Sequence, residues 1–146
     1  MALVADDNTP TVVVVLVPIS DGLLMIRRAL ADGRGQLALP GGYQMRGQTW
    51  QEAGAREVLE ETGIRVDPAN LRLLSVETTP DRQQNLIFCQ SVPVLQSCGF
   101  SHDAEVLEVV VAHEPVETAF PLHTRMVAEF FARQSPARAE QPRSPA

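Results

Sequence analysis

The chain contains no lysine: all 12 of its basic residues are arginine, which excludes any chemistry that runs through a lysine Schiff base. Cysteine is nearly as scarce. The two thiols, Cys89 and Cys98, have no metal-ligand spacing and nothing else suggests secretion, so neither a zinc site nor a disulfide framework is expected. Cys89 lies in an apolar run and reads as a buried thiol. No hydrophobic run is long; the longest, Val12 to Val17, is far too short to cross a bilayer. The opening Met-Ala-Leu-Val-Ala-Asp-Asp lacks the basic-then-apolar layout of a secretory leader, so a cytoplasmic location is expected. Positive charge is not in excess either. With 18 acidic against 12 basic residues the formal charge is −6, which disfavours nonspecific contact with nucleic acid or an anionic membrane. An acidic site that takes up metal ions before it accepts a phosphate is compatible with that balance.

What is present is an ordinary globular composition. The chain has 146 residues, 45 % of them apolar, enough for one domain with its own core. Thr11 to Ile19 is β-branched and continuously apolar, the pattern of a strand buried on both faces. Asp21-Gly22 signals a turn and Leu23 to Arg28 a second strand, so the pair predicts a hairpin. A loop rich in Gly and Asp leads to a short strand, Gln36 to Leu39, which Pro40-Gly41-Gly42 should stop. Further strands are predicted at Leu71 to Thr78, Asn85 to Pro93 and Val106 to His113. A last helix, Pro121 to Arg133, carries Met126, Val127, Phe130 and Phe131 at the spacing of a core-facing stripe. The domain is expected to span 1–133, and the Pro-rich tail, 134–146, to stay disordered. Strands interleaved with two well-separated helices predict an α/β fold, a mixed β-sheet flanked by helices.

The chemistry concentrates between Gly41 and Ile64. Thr49-Trp50-Gln51-Glu52 matches a capping box, and Gly63 followed by Ile64 matches a helix stop, so a helix is predicted over Trp50 to Glu61. Within it Glu57, Glu60 and Glu61 stand at i, i+3 and i+4 and project from one face. Val58, Thr62, Ala55 and Leu59 fall on the opposite side and are expected to face the core. Ala53 and Gly54 fall among the carboxylates, where their small size would leave room for ions and phosphate oxygens. Carboxylates so placed repel one another by a few tenths of a kcal/mol each and oppose the helix dipole. A bound hard cation such as Mg²⁺ would repair this. The plain alternative is a solvated face with Arg56 paired to Glu52 and Glu60.

The run GGYQMRGQTWQEAGAREVLEETGI decides between them, because it resembles the Nudix box. That pattern places Gly, five residues, Glu, seven residues, Arg-Glu, an aliphatic, any residue, Glu-Glu, any residue, Gly and an aliphatic. Gly42, Arg56, Glu57, Val58, Glu60, Glu61, Gly63 and Ile64 meet it in register. One specified position departs: Gln48 stands where the family has its first glutamate, and it can still accept a hydrogen bond from Arg56 but brings no charge. Met45 also replaces a glutamate common in that loop.

The resemblance implies a Nudix-like α/β/α sandwich and a hydrolase dependent on Mg²⁺ or Mn²⁺. It implies metal ligation by Glu57, Glu60, Glu61 and the Gly41 carbonyl, with Arg56 orienting a box glutamate. Arg28 matches a strand arginine that often touches substrate, and is otherwise an exposed strand residue. Many members add a glutamate from beyond the box as base or extra ligand, for which Glu105 and Glu108 are the candidates and Glu105 the first choice. His102 and His113 show no partner pattern. The expected partner is a small nucleotide, cleaved at its diphosphate linkage, with no nucleic acid and no membrane; family members are often dimers, so a homodimer is allowed. Pro80, sixteen residues past Ile64, falls near a proline of ADP-ribose hydrolases and inclines the substrate towards ADP-ribose or a nucleotide sugar. Trp50, Tyr43 or Phe88 could stack on a base or pack in the core. The competing reading is a Nudix-fold module that binds a nucleotide without turning it over, with Gln48 as the lesion.

Overall fold

The computed structural model describes residues 7–95 and 99–134. In chain order these form β1 (Thr11–Leu16), β2 (Pro18–Ile19), β3 (Gly22–Arg28), β4 (Leu37–Ala38), β5 (Gly41–Tyr43), α1 (Trp50–Thr62), β6 (Arg72–Thr78), β7 (Asn85–Gln90), β8 (Val106–Ala112) and α2 (Pro121–Arg133). A 3₁₀ turn at Pro68–Asn70 links α1 to β6. Cys98 and the tail beyond Gln134 lie outside the described residues, as do the expectations made for them. No helix among the described residues is long and apolar enough to cross a membrane.

The strands form two four-stranded sheets rather than one. The first runs β5-β1-β7-β6 and is mixed, with β1 parallel to β7 and antiparallel to β5. In the second, β3 pairs antiparallel with β8 along its length and with β2 and β4 at its two ends. The predicted strand from Thr11 to Ile19 is therefore split at Val17. Pro18 has no N–H to continue the ladder, and the chain passes from one sheet to the other there. The following turn lies one residue earlier than predicted: Ser20 and Asp21 both take left-handed φ (50° and 61°), and Gly22 already pairs with Ile19.

The period-2 alternation of β1 builds both halves of the core. Val14 and Leu16 point into one compartment, which α2 closes with Met126, Val127 and Phe130. Val13, Val15 and Val17 point into the other, which α1 closes with Ala53 and Val58. β1 thus lies between the two helices, buried on both faces as its composition predicts. Cys89 is fully buried in the α1 compartment, and burial pushes its thiol up to about 12.

Candidate active site

α1 is fixed at both ends by local chemistry. The Thr49 hydroxyl accepts from the Glu52 amide (3.0 Å) while the Glu52 carboxylate accepts from the Thr49 amide (2.9 Å). Gly63 ends the helix at φ 78°, its N–H donating to the Leu59 carbonyl. The buried row is Ala53, Gly54, Glu57, Val58, Glu61 and Thr62, which corrects the predicted core face. Ala53 is fully buried, and a side chain on Gly54 would meet Val13 and Val15. These two residues are small because the helix seats on β1 there, and not to make room for ions. Ala55 and Leu59 are only partly buried.

That seating carries Glu57 and Glu61 to the edge of the core, with 9 % and 4 % of their surface left exposed. Both line a cleft of about 870 Å³ together with Glu105, Arg28 and Arg56. β5 forms the near wall. Pro40-Gly41-Gly42, expected to end a strand, instead leads into one, because β1 runs so close to Gly41 that a Cβ there would strike the Val13 backbone. At Gly42 the missing Cβ leaves the volume that the Glu57 carboxylate fills. The Gly41 N–H donates to Glu61 Oε1 at 3.0 Å.

Burial dominates the electrostatics. It pushes Glu57 up to about 7, with Arg56 pulling it back and Glu60, Glu105 and Asp103 adding repulsion. Glu61 rises further, to about 9, again chiefly from burial, opposed by the Gly41 N–H and reinforced by Glu57, Asp103 and Glu105. Acidic groups are thus crowded on a partly dry wall with too little positive charge to match them.

Arg56 supplies the positive charge next to Glu57 and Glu60. Its Nη1 lies 3.2 Å from Glu57 Oε2 and 3.0 Å from Glu60 Oε1, and its Nη2 donates to the Tyr43 carbonyl at 3.1 Å. Its Nε is buried and has no hydrogen-bond partner among the described residues. The hydrogen bond expected from Arg56 to Gln48 is not made. Gln48 Oε1 accepts from the Met45 amide at 3.0 Å, and the Gln48 carbonyl accepts from Gln44 Nε2, so this side chain closes its own turn. Glu60, held by Arg56 and 45 % exposed, stays outside the cleft lining. The predicted convergence of three glutamates is therefore partial: Glu57 and Glu61 share the cleft wall, and Glu60 does not join them. Among the described residues no three acidic, histidine or cysteine side chains form a ready ion cage. Glu60 is instead engaged by Arg56, whose Nη1 it accepts from.

The sequence matches the NUDIX domain family over residues 7–137. The chain belongs to the Nudix hydrolase family. It is 43 % identical over 60 residues to an ADP-ribose pyrophosphatase of Methanocaldococcus jannaschii, a match covering 41 % of this chain and 34 % of that protein. Over 122 residues it is 29 % identical to the phosphatase NudJ of Escherichia coli, covering 82 % of this chain and 80 % of that one. Its fold superposes on a crystal structure of a NUDIX hydrolase from Nitrosomonas europaea with a TM-score of 0.78 at 25 % identity, covering 88 % and 73 % of the two chains.

In this Nudix hydrolase the remaining candidates separate cleanly. Arg28 lines the cleft, its side chain 16 % exposed, with Nε donating to the Asp32 carbonyl at 2.8 Å and its guanidinium 4.8 Å from the centre of the Phe120 ring. It is not a solvated strand residue. Glu105 lies on the cleft at the entry to β8, whereas Glu108 faces away and pairs with Arg27 at 2.8 Å. Tyr43 reaches the cleft and its hydroxyl accepts from Gln84 Nε2 at 2.9 Å; Trp50 packs with the α1 core and Phe88 is fully buried. Pro80 sits in the β6–β7 turn and lines the cleft as well. Sequence reasoning missed Phe120 and His123 at the start of α2, both on the cleft. No local pattern marks His123, whose polar partner, the Leu39 amide, is 84 residues away in the chain.

Proposed function

We propose that this Nudix hydrolase cleaves the diphosphate linkage of a nucleoside diphosphate derivative with the help of Mg²⁺ or Mn²⁺. The observation that carries the reading is the burial of Glu57 and Glu61 side by side on a cleft wall, beside glycines that admit them. The donor set suits a hard dication, since carboxylate oxygens are its preferred ligands. Glu57, Glu61 and the Gly41 carbonyl would hold it, with Glu60 completing the set once released from Arg56. When bound, the ion neutralises phosphate charge and lowers the pKa of a bound water.

The chain's own residues do the rest. Arg56 orients Glu57 and favours its ionised form against the burial that opposes it, and Arg28, also on the cleft, meets the substrate. Glu105 takes the proton of the water that attacks phosphorus. The new P–O bond forms as the bridging P–O bond breaks, leaving two phosphate-bearing products. Such a reaction needs positioning and charge neutralisation rather than a protein nucleophile. ADP-ribose or a nucleotide sugar is the substrate this reading favours, supported by the name of the archaeal relative and by Pro80 at the cleft.

Two observations favour a second reading, a binding module with little turnover: Arg56 Nε has no partner among the described residues while Gln48 Oε1 is engaged by Met45, and Glu60 stays tied to Arg56. Incubating nucleoside diphosphate derivatives with Mg²⁺ or Mn²⁺ and identifying products by mass separates the two. Binding without products supports the module. Glu60→Gln and Glu61→Gln should each lower metal-dependent turnover by about a hundredfold or more while the circular dichroism stays unchanged; full activity in either variant defeats the site.

A further inference from the structure

We propose that His123 is a specificity residue of the cleft, donating a hydrogen bond from Nε2 to an acceptor atom of the nucleobase. The inference rests on the reading of the cleft as a nucleotide site. Its geometry is independent of the acidic wall.

His123 sits in the first turn of α2, with only 7 % of its surface exposed. Its Nδ1 is 3.2 Å from the Leu39 amide nitrogen, and both atoms are buried. A backbone N–H can only donate, so Nδ1 must be the unprotonated nitrogen and Nε2 must carry the proton. Burial and the nearby Arg28 charge hold the ring neutral, pulling it down to about 3. The tautomer is therefore fixed by the fold. Nε2 has no hydrogen-bonded partner among the described residues, and the residue's remaining exposure opens on the cleft that it lines.

The ring is clamped as well as polarised. Phe88 meets it edge-on at 5.8 Å between centroids, and Phe120 packs at 4.9 Å. A donor held this rigidly in apolar surroundings loses little entropy when it bonds and rejects a group that presents another donor. The neighbouring cleft surface is Phe120, Leu122, Leu39 and Ile26, which suits a flat base better than a hydroxyl-rich sugar.

Two substitutions split the ring's two functions. His123→Asn places an amide oxygen where Nδ1 stood, keeping the Leu39 bond, but cannot reach Nε2. His123→Gln places an amide nitrogen where Nε2 stood and gives up the Leu39 bond. With Mg²⁺ and ADP-ribose, GDP-mannose, UDP-glucose and CDP-choline as probes, His123→Asn should raise KM for the preferred base about three- to tenfold, with kcat changing less. It should also narrow the spread among the four bases. His123→Gln should restore the preference while lowering Tm. An unchanged spread, or an equal loss on all four, overturns the proposal. Long-range ¹H–¹⁵N spectra of the ligand-free protein give a second arm that needs no substrate. The Nε2–H tautomer is expected from pH 5 to 8; an Nδ1–H tautomer overturns the inference alone, whereas failure of wild type to act on any of the four removes the nucleotide reading beneath it.

Discussion

Burial holds the carboxyls of Glu57 and Glu61 above their ordinary range, and their titration exposes it. Between pH 4.5, the ordinary value, and about 9, the metal-free folded protein keeps protons that the unfolded chain has released. Its stability from these two groups is therefore greatest in acid and falls as pH rises through that window. Melts in chelator should show this decline, and Glu61→Gln should flatten most of it. On the proposed ligation metal displaces those protons, so the rise in Tm on adding Mg²⁺ should be larger at pH 8 than at pH 6; a rise that is the same at both would contradict that ligation. His123 contributes with the opposite sign, its stabilisation present above pH 6.5 and lost as pH falls towards about 3. Gly42 belongs to the same scale. Gly42→Ala puts a methyl group into the Glu57 carboxylate, so kcat should fall at least tenfold with Tm lowered by only a few degrees; unaltered kcat would show that Glu57 can move freely.

At the scale of elements, α1 is the piece most legible in the sequence, because its start and stop depend on neighbours in the chain. Thr49, Glu52 and Gly63 act through contacts within four residues, and the helix begins at Trp50 as they dictate. Thr49→Ala should cost about 1 kcal/mol in urea unfolding. Gly63→Ala should cost more, since φ 78° is strained for alanine and a Cβ there would crowd Ser101. Most of the parts that could not be read depend on distant chain. Ala53 and Gly54 looked like the roof of the metal site until β1 supplied the surface they pack on. Gly41 and Gly42 read as breakers because their reason, the closeness of β1 and of Glu57, lies elsewhere in the sequence. Gln48 is the local exception: its position predicts help for Arg56, but it accepts from the Met45 amide three residues away, a turn that composition does not reveal. His123 carries no local signal because its partner, the Leu39 amide, lies 84 residues away.

Across the whole molecule, one strand serves two cores. Val13 and Val15 support the helix that carries Glu57 and Glu61; Val14 and Leu16 support the side from which His123 reaches the cleft. Unfolding should accordingly be a single event. Trp50 fluorescence, which reports the α1 compartment, and the NMR signal of His123, which reports the α2 side, should share one denaturant midpoint, in wild type and in Leu16→Ala, the latter about 2–5 kcal/mol less stable. Separate midpoints would mean that the layers melt independently.

The same sharing limits how such a molecule can change. A frame slip of one position along β1 would swap its two rows of valines between the layers, unseating the acidic helix and the base-facing histidine in one stroke. New preferences for the organic half of a ligand must therefore arise in loops or at the start of α2. The middle strand is a common foundation, and neither end of the cleft can be rebuilt through it without disturbing the other.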